Sequence, residues 1–174
     1  MSTRLRPLDK LYAAGGILAA ILLVLIALFT LAQVLGRLLG ILVPDAGELA
    51  GYAMAGATFL ALASTFRSGG HIRVNLLLTH VRPGLRRALE IWCLAVLVLI
   101  GGMFAAFSVQ QVFDSHAFGD VSTGMITIPL WIPQLSMAAG AILLEIAVIE
   151  EFVNVVRGRE PRYEREGGAD AFTE

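Results

Sequence analysis

The sequence predicts an all-α integral membrane protein with four transmembrane helices, and three observations support this fold class. First, 57% of the 174 residues are hydrophobic and only 16% are charged, whereas a soluble domain carries about 25% charged residues. Second, four apolar segments each reach the roughly 20 residues that a helix needs to cross the hydrocarbon core. Third, the basic residues are confined almost entirely to alternate intervening segments, as membrane topology requires.

The four apolar segments together contain 93 of the 174 residues. The predicted spans lie at residues 11–35, 47–66, 88–113 and 131–152. We expect the first span to remain uncleaved, because its apolar run is longer than the roughly 7 to 15 residues of a signal peptide. Residues 1–156 are therefore predicted to form a single transmembrane domain, and a separate ligand-recognising domain would belong to another polypeptide.

The distribution of charge predicts the orientation of these spans. Twelve of the thirteen Lys and Arg residues precede span one, lie between spans two and three, or follow span four, and Arg37 stands apart. The positive-inside rule therefore places both termini and the central loop in the cytoplasm. Within that loop, residues 72–82 are predicted to form a short interfacial helix on the anionic leaflet. The mixed-charge tail at 157–174 is expected to be disordered.

Span two is unusually rich in small residues, with Gly47, Gly51 and Ala55 at four-residue spacing and more Gly and Ala behind them. Such a face allows close approach of helices in lipid. The sequence leaves open whether this face packs within the chain or against a partner.

Glu145 is the acid with the most unusual predicted position. About 14 residues at 1.5 Å each carry it roughly 21 Å inward from Trp131, so it lies within the hydrocarbon region. Such a group faces protein, water or a partner charge. One interpretation is a proton or sodium site. We favour a structural role, in which Glu145 is protonated or meets Arg86, Arg87 or a base of a partner.

The sequence contains no pattern typical of enzyme or cofactor chemistry. Cys93 is the only cysteine, and the three histidines fall in loops or at interfaces, where they do not form the facing axial ligands of a membrane haem. Nucleophile-elbow, phosphate-loop and zinc-protease motifs are also missing. We therefore predict a protein that is not an enzyme, with no metal, cofactor or nucleic-acid partner.

Three motifs carry a resemblance to a known family. They are ELAGY at residues 48–52, RSGGHIRV at residues 67–74, and STG at 122–124 ahead of IPLWIP at 128–133. Together they resemble the DctQ-like small permease subunit of tripartite ATP-independent periplasmic (TRAP) transporters over roughly residues 11–155.

The resemblance implies a scaffold subunit in a bacterial cytoplasmic (inner) membrane. Its expected partners are membrane lipids, a large permease subunit that moves substrate and sodium by an elevator motion, and a periplasmic binding protein that delivers the solute. The expected function is sodium-coupled uptake of an organic acid. No residue of this chain is expected to bind the substrate.

The resemblance also suggests contact roles for individual residues. Arg67, His71 and Arg73 are expected to lock the central loop or to contact a partner or lipid headgroups, because Arg binds carboxylates and phosphates bidentately. Glu48 is expected to cap span two or to contact the binding protein.

The expected contacts on the periplasmic side complete this set. Trp131 is predicted to anchor span four at the outer interface. The residues expected to cap span four or to meet the binding protein are Asp114, Asp120, Ser122 and Thr123.

Other kinds of membrane protein remain as alternatives. A stand-alone four-helix exporter usually carries a Glu in its first span, and residues 11–35 contain none. An electron-transfer subunit requires His pairs within helices. A membrane assembly or regulatory protein outside any transport system is the third alternative, and neighbouring genes would distinguish it.

Overall fold

The computed structural model describes residues 7–67 and 83–158. Within these ranges the chain forms four α-helices: α1 at Pro7–Leu38, α2 at Ala46–Arg67, α3 at Pro83–Phe118 and α4 at Trp131–Val156. Each helix is long and apolar enough to cross a membrane. The predicted all-α fold with four transmembrane helices is therefore confirmed.

The helices extend beyond the apolar spans that the sequence predicts. α3 has 36 residues and is about 54 Å long, whereas 30 Å of hydrocarbon requires about 20 residues. Its additional turns contain Arg87 at one end and Asp114 at the other, which suit the headgroup regions. The interfacial helix predicted at 72–82 lies outside the described residues, as does most of the tail, from residue 159 onward.

The helices pack in the spatial order α1, α2, α4, α3, because α2 contacts both α1 and α4 extensively and α3 packs mainly on α4. α2 and α3 do not pack along their lengths, although the rings of Phe59 and Phe104 stack with centroids 5.6 Å apart. The loops at 39–45 and 119–130 meet at one end of the bundle, here called the loop end. The opposite end is called the terminal end.

Small residues bring α2 and α4 into close contact. A Cβ atom on Gly140 of α4 would overlap the backbone carbonyl of Phe59 on α2. The buried residues of this interface are mainly alanines, including Ala57 and Ala63 on α2 and Ala141 on α4. Because lipid provides no hydrophobic drive for helix association, this close van der Waals packing holds the pair together.

α2 packs against the other helices through a face other than the one that carries Gly47 and Gly51 at four-residue spacing. A Cβ on Gly51 would meet nothing within 4 Å, and Gly47 is exposed. The buried positions are instead Ala53, Gly56 and Ala57, with others further along the helix. A different face of α2 therefore makes the internal contacts, and contact of the Gly47 and Gly51 face with a partner stays a prediction.

A small cluster closes the bundle toward the terminal end. Tyr12 of α1, Ala63 of α2 and Ala147 of α4 are each at most 3% exposed. Phe66 and Leu143 pack against them. This cluster joins three helices at a point where α1 otherwise contacts α4 only marginally.

The outer helices leave most of their apolar surface uncovered. In the most apolar stretch of α1 only 6% of residues are buried, and in α3 only 11%, compared with 28% in both α2 and α4. Large side chains such as Trp92 and Phe107 of α3 are exposed. In a membrane this surface must contact lipid or another protein.

Candidate functional site

The loop between α3 and α4 is held in a defined shape by Ser122. The Ser122 hydroxyl donates to the carbonyl of Ile126 at 3.0 Å and accepts the N–H of Ile128 at 3.1 Å. The Ser122 N–H also donates to the Ile128 carbonyl at 2.8 Å, and Val121 pairs with Pro129 as an isolated β-bridge. The side chain predicted as a cap or a binding-protein contact thus lies inside the loop and stabilises its turn.

Asp45 joins this loop to the start of α2. Its carboxylate accepts the backbone N–H of Ile126, and its own backbone has φ of 53°, a left-handed conformation that Asp adopts more readily than most residues. A Cβ on Gly124 would lie 2.7 Å from the Asp45 carboxyl carbon and would overlap the Glu48 carboxylate. Only glycine therefore fits at position 124 without displacing these acids.

Glu48 has a hydrogen-bond partner within α2. Its Oε1 accepts the hydroxyl of Tyr52, one helical turn along, at 2.5 Å. Glu48 lies in the first turn of the helix, where a negative charge is favoured by the helix dipole. The structure thus brings Asp45, Glu48, Tyr52 and Gly124 together in what we call the loop-end junction.

The other residues predicted on this side lie around the junction. Asp114 and Thr123 are exposed, and the Asp120 side chain is also exposed. The backbone carbonyl of Asp120 accepts a hydrogen bond from the N–H of Leu130 at 3.0 Å. Trp131 begins α4 and packs edge-on against His116, with ring centroids 5.5 Å apart.

Sequence reasoning did not identify Asp45 or Gly124 as members of the junction. Asp45 directly precedes the first residue of α2, a position where Asp is preferred, so a capping signal was present. The contact with Ile126 depends on how the two loops meet in space, and no local pattern encodes it.

Glu145 lines a second site, within the membrane-spanning part of the bundle. A cavity of about 270 Å³ lies between α2 and α3, and residues of α4 form its base. Its walls are apolar, including Phe59 and Leu62 of α2 and Leu97 and Ile100 of α3.

The Glu145 carboxyl group rests on a pair of glycines in α3. A Cβ on Gly101 would overlap Oε2, and one on Gly102 would lie 3.4 Å from Oε1. Oε2 is buried and has no hydrogen-bond partner among the described residues. The glycine pair, which sequence reasoning did not single out, leaves the space that this carboxyl group occupies.

The bases considered for Glu145 can be placed only in part. Arg87 donates from Nη2 to the carbonyl of Val156 at 3.3 Å, so its guanidinium lies at the terminal end. The side chain of Arg86 lies outside the described part of the chain, as does that of Arg67, the last residue of α2. His71 and Arg73 also lie outside the described residues.

Comparison with known families matches residues 13–158 to the DctQ component of tripartite ATP-independent periplasmic transporters. The chain belongs to this family. The matched region spans all four transmembrane helices, from the first turns of α1 to the end of α4. No curated protein and no solved structure matches the chain.

Membership of the DctQ family confirms the resemblance drawn from the three sequence motifs. The chain is the small membrane component of a TRAP transporter and a multi-pass protein of the inner membrane. The loop-end junction and the Glu145 cavity are accordingly features of a transporter subunit.

Proposed function

We propose that this DctQ component is a scaffold that holds a large, elevator-type permease subunit in place during sodium-coupled uptake of an organic acid. A periplasmic binding protein delivers that solute. The chain itself binds no substrate and has no enzymatic activity. A moving transport domain requires a fixed neighbour in the membrane, and this subunit supplies it.

The observation that carries this proposal is the contrast between the inner and outer helices. α2 and α4 approach so closely that Gly140 lies against the carbonyl of Phe59, which leaves no room for a solute between them. α1 and α3 instead expose large apolar side chains along their lengths. A rigid centre with apolar outer surfaces suits a subunit that another membrane protein packs against.

We further propose that the loop end faces the periplasm. The described acids at this end include Asp45, Glu48, Asp114 and Asp120, whereas Arg87 lies at the terminal end beside Val156. The positive-inside rule then directs both termini into the cytoplasm. The exposed Asp114, Asp120 and Thr123 would be available to the binding protein, with the junction fixing their loop.

The central cytoplasmic loop contributes contacts in this proposal. Arg67, His71 and Arg73 are assigned to the inner rim, where they contact lipid phosphates or carboxylates of the large subunit. Trp131 anchors the outer end of α4.

Paired cysteine variants test the orientation. In a Cys93→Ser background, Thr123→Cys should react with a membrane-impermeant maleimide added to spheroplasts. Arg157→Cys, at the opposite end, should react only after permeabilisation. The reverse pattern would place the loop end in the cytoplasm and overturn this part of the proposal.

Purification and reconstitution test the scaffold function itself. When the tagged chain is solubilised from its native membrane and purified, the large permease subunit should co-purify with it in a stoichiometric amount. Liposomes that contain both subunits and the binding protein should take up solute on a sodium gradient, and liposomes without this chain should not. Sodium-dependent organic-acid uptake by the chain alone would contradict the proposal.

A further inference from the structure

The Glu145 cavity opens on the side of the bundle where α2 and α3 diverge. Three residues of its α3 wall, Leu97, Ile100 and Phe104, are 39%, 60% and 47% exposed. The stack of Phe59 on Phe104 closes the cavity toward the loop end. A side chain that approaches through the bilayer between α2 and α3 therefore reaches the carboxyl group of Glu145.

The chemistry of the cavity is incomplete in the isolated chain. Its walls are apolar except for one carboxyl group, and Oε2 of that group has no hydrogen-bond partner among the described residues. A buried polar group without a partner is strongly destabilising in an environment that excludes water. In its ionised form the carboxylate only accepts hydrogen bonds, so the group that would satisfy this form is a donor.

We propose that a transmembrane helix of the large permease subunit inserts an Arg or Lys side chain into this cavity and pairs with Glu145. The aliphatic part of such a side chain packs along apolar walls while its charged end meets the carboxylate. This inference rests on the proposed scaffold function, and it identifies one point of the subunit interface and the chemistry of the contact.

The position of Glu145 along α4 favours a protein partner over a lipid. Measured along the helix, Glu145 lies about 21 Å from Trp131, which leaves about 9 Å of a 30 Å hydrocarbon core before the opposite headgroups. An acyl chain fills an apolar cavity at this depth but donates no hydrogen bond. A basic side chain on a neighbouring helix provides both the apolar stem and the donor.

Photo-crosslinking in intact membranes tests which molecule occupies the cavity. A photoreactive phenylalanine analogue replaces Ile100, which lines the cavity, or the adjacent Leu99, which is 65% exposed and is not part of the lining. The Ile100 variant should form an adduct with a large-subunit helix that carries an Arg or Lys. The Leu99 adduct should map to a different site or to lipid.

Variants of Glu145 then test the charge pair. Glu145→Gln and Glu145→Leu should each reduce recovery of the large subunit by about tenfold or more, because one partner of a buried pair is left alone. Replacing the crosslinked base by Met should have the same effect. Combining that replacement with Glu145→Leu should restore recovery, since removal of both charges is tolerated better than removal of one.

The outcomes separate this inference from the scaffold proposal. Co-purification of the large subunit together with an Ile100 adduct to lipid, to a second copy of this chain or to a helix without a base would overturn the inference alone. Unchanged recovery in both Glu145 variants would do the same. Failure of the unmodified chain to co-purify with any large subunit would overturn the scaffold proposal first. A melting temperature of the Glu145→Gln variant equal to that of the unmodified chain would show that a loss of recovery does not reflect unfolding.

Discussion

The carboxylate of Asp45 accepts the backbone N–H of Ile126, although the two residues are 81 positions apart in the chain. This hydrogen bond ties the loop between α1 and α2 to the loop between α3 and α4. Close packing of α2 on α4 then continues the connection through the membrane. The two helical hairpins are therefore joined at the loop end as well as along their central helices.

Asp45→Gly should destabilise the chain more than Asp45→Asn. Both replacements accept the left-handed backbone at φ of 53°, but only Asn retains an oxygen that can accept the Ile126 N–H. A hydrogen bond to a charged group contributes about 1.5–3 kcal/mol. Thermal unfolding of the detergent-solubilised variants should give a lower melting temperature for Gly. Equal melting temperatures would show that the contact contributes nothing to stability.

Tyr52→Phe should weaken the same end of the bundle. It removes the hydroxyl that donates to Glu48 at 2.5 Å while the ring is retained, so the expected loss is about 1–2 kcal/mol. Glu48→Gln is the matched control, because the amide oxygen still accepts the Tyr52 hydroxyl. The melting temperature should fall further for Tyr52→Phe than for Glu48→Gln, and the opposite order would assign the stabilisation to the charge of Glu48.

Gly140→Ala should destabilise the isolated chain, whereas Gly51→Ala should not. The new methyl group at position 140 would meet the backbone of Phe59, which cannot rotate away, and such overpacking costs about 1–3 kcal/mol. At position 51 the methyl group enters open space. Unfolding curves of the two variants, compared with the parent, measure the difference. A stable Gly140→Ala variant would mean that α2 and α4 separate more easily than their packing implies.

Gly101→Ala should perturb the cavity more than Gly102→Ala. The first methyl group overlaps Oε2 of Glu145, whereas the second lies 3.4 Å from Oε1. Because the obstacle at Gly101 is the end of a flexible side chain, we expect a loss of only about 1 kcal/mol.

A double-mutant cycle isolates the cause of that loss. In a Glu145→Ala background, Gly101→Ala should no longer lower the melting temperature, because the overlapping atom is gone. An undiminished effect in that background would assign the loss to α3 itself.

Hydropathy predicted the four spans because the hydrocarbon core imposes a minimum apolar length on any crossing helix. It did not predict the ends of α3, since Arg87 and the segment from Asp114 to Phe118 continue the helix into polar surroundings. Helix length depends on backbone hydrogen bonding, which persists beyond the hydrocarbon. The length of the apolar stretch therefore does not give the length of the helix.

The packing face of α2 could not be predicted because small residues occur on every side of this helix. Gly47 and Gly51 have the favourable four-residue spacing, yet Ala53, Gly56 and Ala57 make the internal contacts. When several faces permit close approach, the choice depends on the shape of the neighbouring helix.

The candidate sites were predicted to different extents. Glu145 was identified from its depth alone, because a carboxyl group in hydrocarbon is costly wherever its neighbours lie. Its contact with Gly101 required knowledge of how α3 and α4 align. The same holds for Asp45 and Ile126, whose proximity results from the meeting of two distant loops.

The spatial order of the helices also has a consequence for biogenesis. A ribosome completes the helices in the order α1, α2, α3, α4, and α3 packs mainly on α4. The third helix is thus synthesised before its principal neighbour exists, while α1 and α2 can pair as soon as both have entered the bilayer. Until translation reaches α4, Gly101 and Gly102 of α3 lack the Glu145 carboxyl group that packs against them. This subunit therefore completes the packing of its four described helices only when α4 has been made.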